Sequence, residues 1–197
     1  MTTGISGPEA ASGSLLPALG RDFYNDVKWI MSYLDNFINR MTAQRNCLDL
    51  AVELVRGVEG PVLEFGLGHG RTYDHLRQNF PDRDIYAFDI RVSPNVFVRP
   101  ADELLFLGDI ADTIRTAAER LPRKAALAHS DLGLKDRHGA VPIVADIIAY
   151  LPGLMAKGGF YISNVDIALV DGEVPPAFRR RDFPQVTGDQ YHIYEIV

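Results

Sequence analysis

Cysteine is nearly missing: Cys47 is the one thiol in 197 residues. No disulfide can close within the chain, and a cysteine-rich zinc site is excluded. Cys47 falls in a helical pattern and reads as a small core residue. Basic residues are in deficit, with 20 Lys and Arg against 26 Asp and Glu and a net charge of −6. A general nucleic-acid binder needs a basic surface to neutralise phosphates, so no nucleic acid is expected as a partner. Every apolar run is shorter than the roughly 20 residues that span a bilayer, and no membrane is expected either. A basic start followed by an apolar core is also lacking, which makes the cytoplasm the expected location. The five histidines show no H-x-x-x-H or similar ligand spacing, so zinc is not expected. There is no internal repeat.

What is present suits one sizeable core, with 47% hydrophobic and 23% charged residues. Residues 1–20 are rich in Gly, Ser, Ala and Thr and read as a flexible tail. Residues 21–60 read as N-terminal helices. Phe23, Val27, Ile30, Met31, Leu34, Phe37, Ile38 and Met41 recur in steps of three and four. That spacing makes a stripe on one helix face, as core packing does. A second helical pattern runs from Gln44 to Val58, closed by Gly57, Gly60 and Pro61.

From residue 61 to residue 197 the pattern alternates. Strands are expected at Val62–Phe65, Ile85–Phe88, Leu104–Leu107, Ala125–Ala128 and Gly159–Ser163. Helices are expected at Arg71–Phe80, Ala111–Leu121 and Val141–Leu151, the last with Pro142 near its first turn. No helix is legible between Asn164 and Phe183, and Arg179–Arg181 reads as a solvated loop. Phe183–Thr187 and Gln190–Ile196, joined at Gly188-Asp189, read as a hairpin. The expected fold is α/β. Its doubly wound, mostly parallel seven-stranded sheet has helices on both faces, a C-terminal antiparallel hairpin and an N-terminal helical extension.

The chain is organised around Pro61–Ile90. An apolar run, Val62-Leu63-Glu64-Phe65, enters a turn with glycines at 66, 68 and 70, a helical segment follows, and a second apolar run ends in Asp89. Ligands of open parallel sheets bind beyond such strand ends, and glycine lets the backbone approach them. The dinucleotide fingerprint G-x-G-x-x-G would need a glycine where Arg71 stands. A carboxylate at Glu64 would repel a pyrophosphate but could hold an ammonium, directly or through water. The free N–H groups at the start of the helix, at Arg71 and Thr72, could receive a carboxylate.

Glu64-Phe65-Gly66-Leu67-Gly68-His69-Gly70 resembles the first motif of the class I S-adenosylmethionine-dependent methyltransferases, an acid-x-G-x-G-x-G turn. The resemblance covers about Pro61 to Ser163, including the Gly158-Gly159 turn before the fifth strand. It implies S-adenosyl-L-methionine as cofactor, with the turn (Glu64, Phe65, Gly66, Gly68, His69, Gly70, Thr72) facing its methionine part. It implies that Asp89, with Ile90 beside it, accepts bonds from both ribose hydroxyls, and that Asp109 and Ile110 meet adenine. It places His129 and Asp131 near the methyl group, where either could take a proton from a nitrogen or oxygen acceptor.

Several of these residues have a second reading. Asp109 also suits the N-cap of the following helix, and the two roles can coexist. His69 suits shaping the turn as well as touching ligand. Asp131, Asn164 and Asp166 sit where a metal-dependent branch of the family binds magnesium, but Ser163 stands where that branch has an Asp, and no metal is expected. The expected activity is in-line methyl transfer to a small molecule. Two other classes share parts of the pattern. One is a non-catalytic module for S-adenosylmethionine or S-adenosylhomocysteine. The other is an NAD-dependent oxidoreductase, against which Glu64 and Arg71 speak. A homodimer is left open.

Overall fold

The computed structural model describes residue 1 and residues 32–132, 137–184, 186 and 190–197. The expected tail at 2–20, the stripe residues up to Met31 and the Gly188-Asp189 turn lie outside the described residues. The chain divides into two compact units, Met1–Phe37 and Ile38–Val197. Of the first, the described part is mainly the start of helix α1 (Tyr33–Leu54). Ser32 opens that helix by accepting the Asp35 N–H at 3.0 Å and donating to the Asp35 carboxylate at 2.6 Å.

The second unit is built on a seven-stranded sheet in the order β3-β2-β1-β4-β5-β7-β6. The strands are β1 (Val62–Phe65), β2 (Ile85–Asp89), β3 (Leu105–Leu107), β4 (Ala125–Ser130), β5 (Met155–Ser163), β6 (Phe178–Arg181) and β7 (His192–Ile196). The first five pair in parallel, and β7 joins β5 and β6 antiparallel. Helices α2 (Arg71–Asn79), α3 (Ile110–Arg120), α4 (Arg137–Leu154) and the short α5 (Ala168–Asp171) complete the alternation. Apolar residues bury both faces of the central strands, as parallel sheets require. One core joins Cys47, Leu48 and Ala51 of α1 and Leu76 of α2 to the sheet. The other joins Ile114 of α3 and Val144, Ile147 and Leu151 of α4. The doubly wound architecture and the closing hairpin are as the sequence implies.

Four details differ. From Tyr33 on, the first helical pattern runs without a break into the second within α1, and Leu34, Phe37 and Ile38 of the expected core stripe are exposed. The buried positions of α1 are Gln44, Cys47, Leu48 and Ala51, again three or four apart, with Cys47 the core residue that the sequence implies. Helix α4 begins at Arg137, which puts Pro142 inside it. The missing proline N–H therefore removes one helical bond instead of sparing a free end. Helix α5 fills part of the stretch read as helix-free. Four residues are too few for periodicity to register, and Gly172 at φ 84° ends it.

The fourth correction concerns the hairpin. Its first strand is Phe178–Arg181, not Phe183–Thr187. Phe178 buries its ring beside Tyr161 and Tyr194, while the three arginines read as a loop lie in register with Glu195, Tyr194 and Ile193. Pro184 cannot donate to a ladder, which works against a strand across 183–187.

Candidate active site

The order of strands reverses between β1 and β4, and open parallel sheets bind ligands beyond the carboxyl ends of their strands at such a point. The glycine turn sits there. Gly66, Gly68 and Gly70 all have positive φ, at 92°, 51° and 77°. A methyl group on Gly66 would stand 3.3 Å from the Asp131 carbonyl oxygen, whereas one on Gly68 would meet nothing within 4 Å. Gly66 is therefore small for the protein's own packing, and Gly68 borders open space. The Gly68 N–H donates to Asp89 Oδ2 at 2.9 Å, and Asp89 Oδ1 accepts from the Arg91 N–H at 3.3 Å. Gly70 caps α2 without a side chain, so no cap side chain accepts from its first N–H groups, which remain a positive end for an anion.

Glu64 is fully buried. Its Oε1 accepts from the Thr72 hydroxyl, and its Oε2 lies 2.8 Å from His129 Nδ1. The parallel register sets Glu64 opposite His129. His129, expected beside the methyl acceptor, has no exposed surface, and its buried Nε2 has no hydrogen-bond partner among the described residues. Burial, the largest influence on the ring, favours its neutral form. The charge and hydrogen bond of Glu64, and the charge of Asp131, outweigh it and raise the His129 pKa.

The remaining residues divide between the crevice and the core. Phe65 is fully buried and stacked on Phe88 at 4.6 Å, inside the sheet. Ile90 is 74% exposed at the end of β2. Asp109 caps α3, accepting the Ala111 N–H at 2.9 Å, and Ile110 behind it is largely buried. His69 is exposed on the turn.

Asp131 is held by residues that sequence reasoning missed. Arg40 of α1 donates to both its oxygens, at 2.8 and 3.1 Å. Gln44 of α1 and the Tyr191 hydroxyl, at 3.2 Å, donate to Oδ2. Burial and then the Asp131 charge push the Tyr191 phenol up. These partners lie 91, 87 and 60 residues away in the chain. The one sequence signal for them is a polar Arg40 and Gln44 beside the apolar stripe. Asn164 instead bonds the Leu132 backbone, and Asp166 takes Tyr194 and Arg180. Among the described residues no group of three or more His, Cys, Asp or Glu side chains could hold a metal ion. Nor is any described helix long and apolar enough to cross a membrane.

The strand order and the glycine turn at the reversal point define a class I methyltransferase fold. A family model described as S-adenosyl-L-methionine methyltransferase matches residues 31–181. The S-adenosyl-L-methionine methyl transferase of Silicibacter pomeroyi DSS-3 is 34% identical, over 85% of this chain and 99% of that one, with a TM-score of 0.74. Two further structures share the fold. The calicheamicin methyltransferase CalS11 is 18% identical over 92% of this chain and 86% of that one, TM-score 0.57. A putative caffeoyl-CoA O-methyltransferase of Staphylococcus aureus is 14% identical over 91% and 100%, TM-score 0.52. No curated protein matches the sequence. The chain belongs to the S-adenosyl-L-methionine methyltransferase family, and its cofactor is S-adenosyl-L-methionine.

Proposed function

We propose that the crevice between β1 and β4 holds the cofactor on one side and a small-molecule acceptor on the other. The observation that carries this reading is the meeting of the open Gly68 turn, the Asp89 carboxylate and Asp131 at one strand-order reversal. The residues present fit the cofactor. The uncapped α2 terminus suits its carboxylate, Asp89 its ribose hydroxyls, and Ile90 with the Asp109–Ile110 corner its adenine, while the fully buried Glu64 holds Thr72 and His129 behind the turn. When bound, the cofactor supplies a sulfonium methyl group for in-line displacement.

On the acceptor side, Asp131 is the residue we assign to proton removal. Its Oδ2 takes three donors and its Oδ1 one, so Oδ1 keeps acceptor capacity. Arg40, Gln44 and Tyr191 fix the carboxylate, which matters because alignment supplies much of the acceleration in a displacement. This assigns the Arg40 and Gln44 face of α1 to the acceptor wall. His129 leaves the catalytic role in this reading, because a side chain with no exposed surface does not meet an acceptor. A cytoplasmic location belongs to the same proposal.

Calorimetric titration of dialysed protein with S-adenosylhomocysteine tests the cofactor half, and absence of binding overturns it. Incubation with radiolabelled S-adenosylmethionine and a panel of small hydroxyl and amine compounds tests the acceptor half. The expected result is a labelled product whose formation Asp131→Asn abolishes. Label appearing in protein or RNA substrates alone overturns it.

A further inference from the structure

The hairpin that closes the sheet carries a cavity of about 440 Å³. Phe183, Val186, Tyr191 and Ile193 give it apolar walls, and Arg180 and Arg181 give it charge. That volume and that mixture suit a small ligand. The register puts the cavity at the same end of the sheet as Asp131. Ser130 of β4 pairs with Ser163 of β5, and Ser163 pairs with His192 of β7. Asp131 follows the first of these and Tyr191 precedes the last, so both stand just beyond one level of the sheet. The Tyr191 hydroxyl spans the gap and donates to Asp131 at 3.2 Å. Tyr191 is thus a wall of the cavity and a partner of Asp131 at once. The strand order leaves the glycine turn on the β1 side of Asp131 and the cavity on the β7–β6 side.

A shared acid sets the charge of the cavity. Alternation places Arg179 and Arg181 on one face of β6, in register with Glu195 and Ile193 of β7. Both arginines pair with the same Glu195 oxygen, at 3.8 and 2.5 Å. Two cations on one carboxylate leave one positive charge over. Arg180, on the other face, has two acids, Asp166 at 2.6 Å and Asp182 at 3.6 Å. The Asp182 side chain is 92% exposed, so water screens it from the cavity. Among the described residues Arg181 gives only Nη1 to an oxygen, and its guanidinium stands 6.0 Å from the centre of the Phe183 ring. Nε and Nη2 keep their donors for a ligand.

We propose that this cavity takes the body of the acceptor, and that the acceptor is a small aromatic acid whose oxyanion Arg181 binds while its nucleophile lies toward Asp131. The ring of such a molecule suits the Phe183 and Tyr191 walls. The inference deepens the acceptor reading above and rests on it.

Three phenols of similar shape test the sign of the charge. At about pH 7, 4-hydroxyphenylacetate is an anion, 4-hydroxyphenethyl alcohol is neutral and tyramine is a cation. Each is titrated calorimetrically into the protein with and without saturating S-adenosylhomocysteine. The acid should bind about fivefold tighter than the alcohol or better, with tyramine weakest. The preference should shrink as salt rises. Arg181→Gln should erase it and leave the affinity for S-adenosylhomocysteine unchanged. Arg123→Gln, which removes a cation before the start of β4, should keep it. Should Arg181→Gln fail to fold, the wild-type order and its salt dependence decide alone. Equal affinities, a preference for tyramine, a preference that survives Arg181→Gln, or no binding of the acid up to about 10 mM overturns the inference. Each of these leaves S-adenosylhomocysteine binding, and with it the cofactor reading, untouched. Absence of S-adenosylhomocysteine binding removes the cofactor reading instead, and the order of the phenols on the free protein still decides this inference.

Discussion

Gly68 and Asp89 are joined by a 2.9 Å hydrogen bond across 21 residues of chain. The carboxylate that borders the crevice also fixes the turn that borders it, so position 89 serves shape and chemistry together. Asp89→Ala should weaken S-adenosylhomocysteine binding by about 2–3 kcal/mol, through loss of charge-assisted bonds to ligand and turn. Asp89→Asn should recover part of that loss. Titration calorimetry measures both, and unchanged affinity in the alanine variant would remove Asp89 from the site.

The turn glycines should separate by experiment. Gly68→Ala meets no atom within 4 Å, and only its φ of 51° is strained. Its stability cost should be about 1–2 kcal/mol, with a larger loss in cofactor affinity because the methyl enters the crevice. Gly66→Ala adds a 3.3 Å approach to the Asp131 carbonyl and should cost more stability than Gly68→Ala. Urea unfolding of both variants checks the order.

Asp131→Ala strips partners from a buried Gln44 amide and a mostly buried Tyr191 hydroxyl. Leaving such groups unpaired costs about 1–3 kcal/mol. Tyr191→Phe removes one donor only and should cost about 1 kcal/mol. Denaturant midpoints compare them, and equal values would mean that the cluster does not act as a unit.

Asp166 predicts an acid limb of stability. Burial, the largest influence, pushes its carboxyl up. The bonds from Tyr194, the Ala168 N–H and Arg180, with the His192 charge, outweigh it and hold the group below the usual carboxylate range. A depressed folded value gives stability that is present above the unfolded value of about 3.9 and lost as pH falls through the folded one. Asp166→Asn should therefore flatten the fall in stability below about pH 4, as read by thermal melts across that range.

Burial pushes the Cys47 thiol up to about 12. The thiolate is the reactive form, so alkylation of native protein should be slow and should follow global unfolding in urea. Rapid labelling without denaturant would show that α1 opens locally.

The sequence made the unit from β1 to the end of β2 legible because that unit is local. Strand, glycine turn, helix, strand and Asp89 all fall within Pro61–Ile90, and each is signalled by composition and spacing. The cluster around Asp131 was not legible because it is assembled from distance: Arg40, Gln44 and Tyr191 reach Asp131 only once α1 and β7 are in place. The Glu64–His129 pair depends on register, which period-two patterning leaves open when both strand faces are buried. Phe178–Arg181 was missed because its charge outweighed its one buried ring in a local reading.

That same arginine strand bears on how the protein meets other copies of itself. A sheet with open edges invites another chain to add its strands. Here one margin is β3, only three residues long. The other is β6, whose Arg179, Arg180 and Arg181 form ion pairs with Glu195 and Asp166. Shortness guards one side and fixed charge the other. Growth by strand addition is thus disfavoured at both margins of the described sheet.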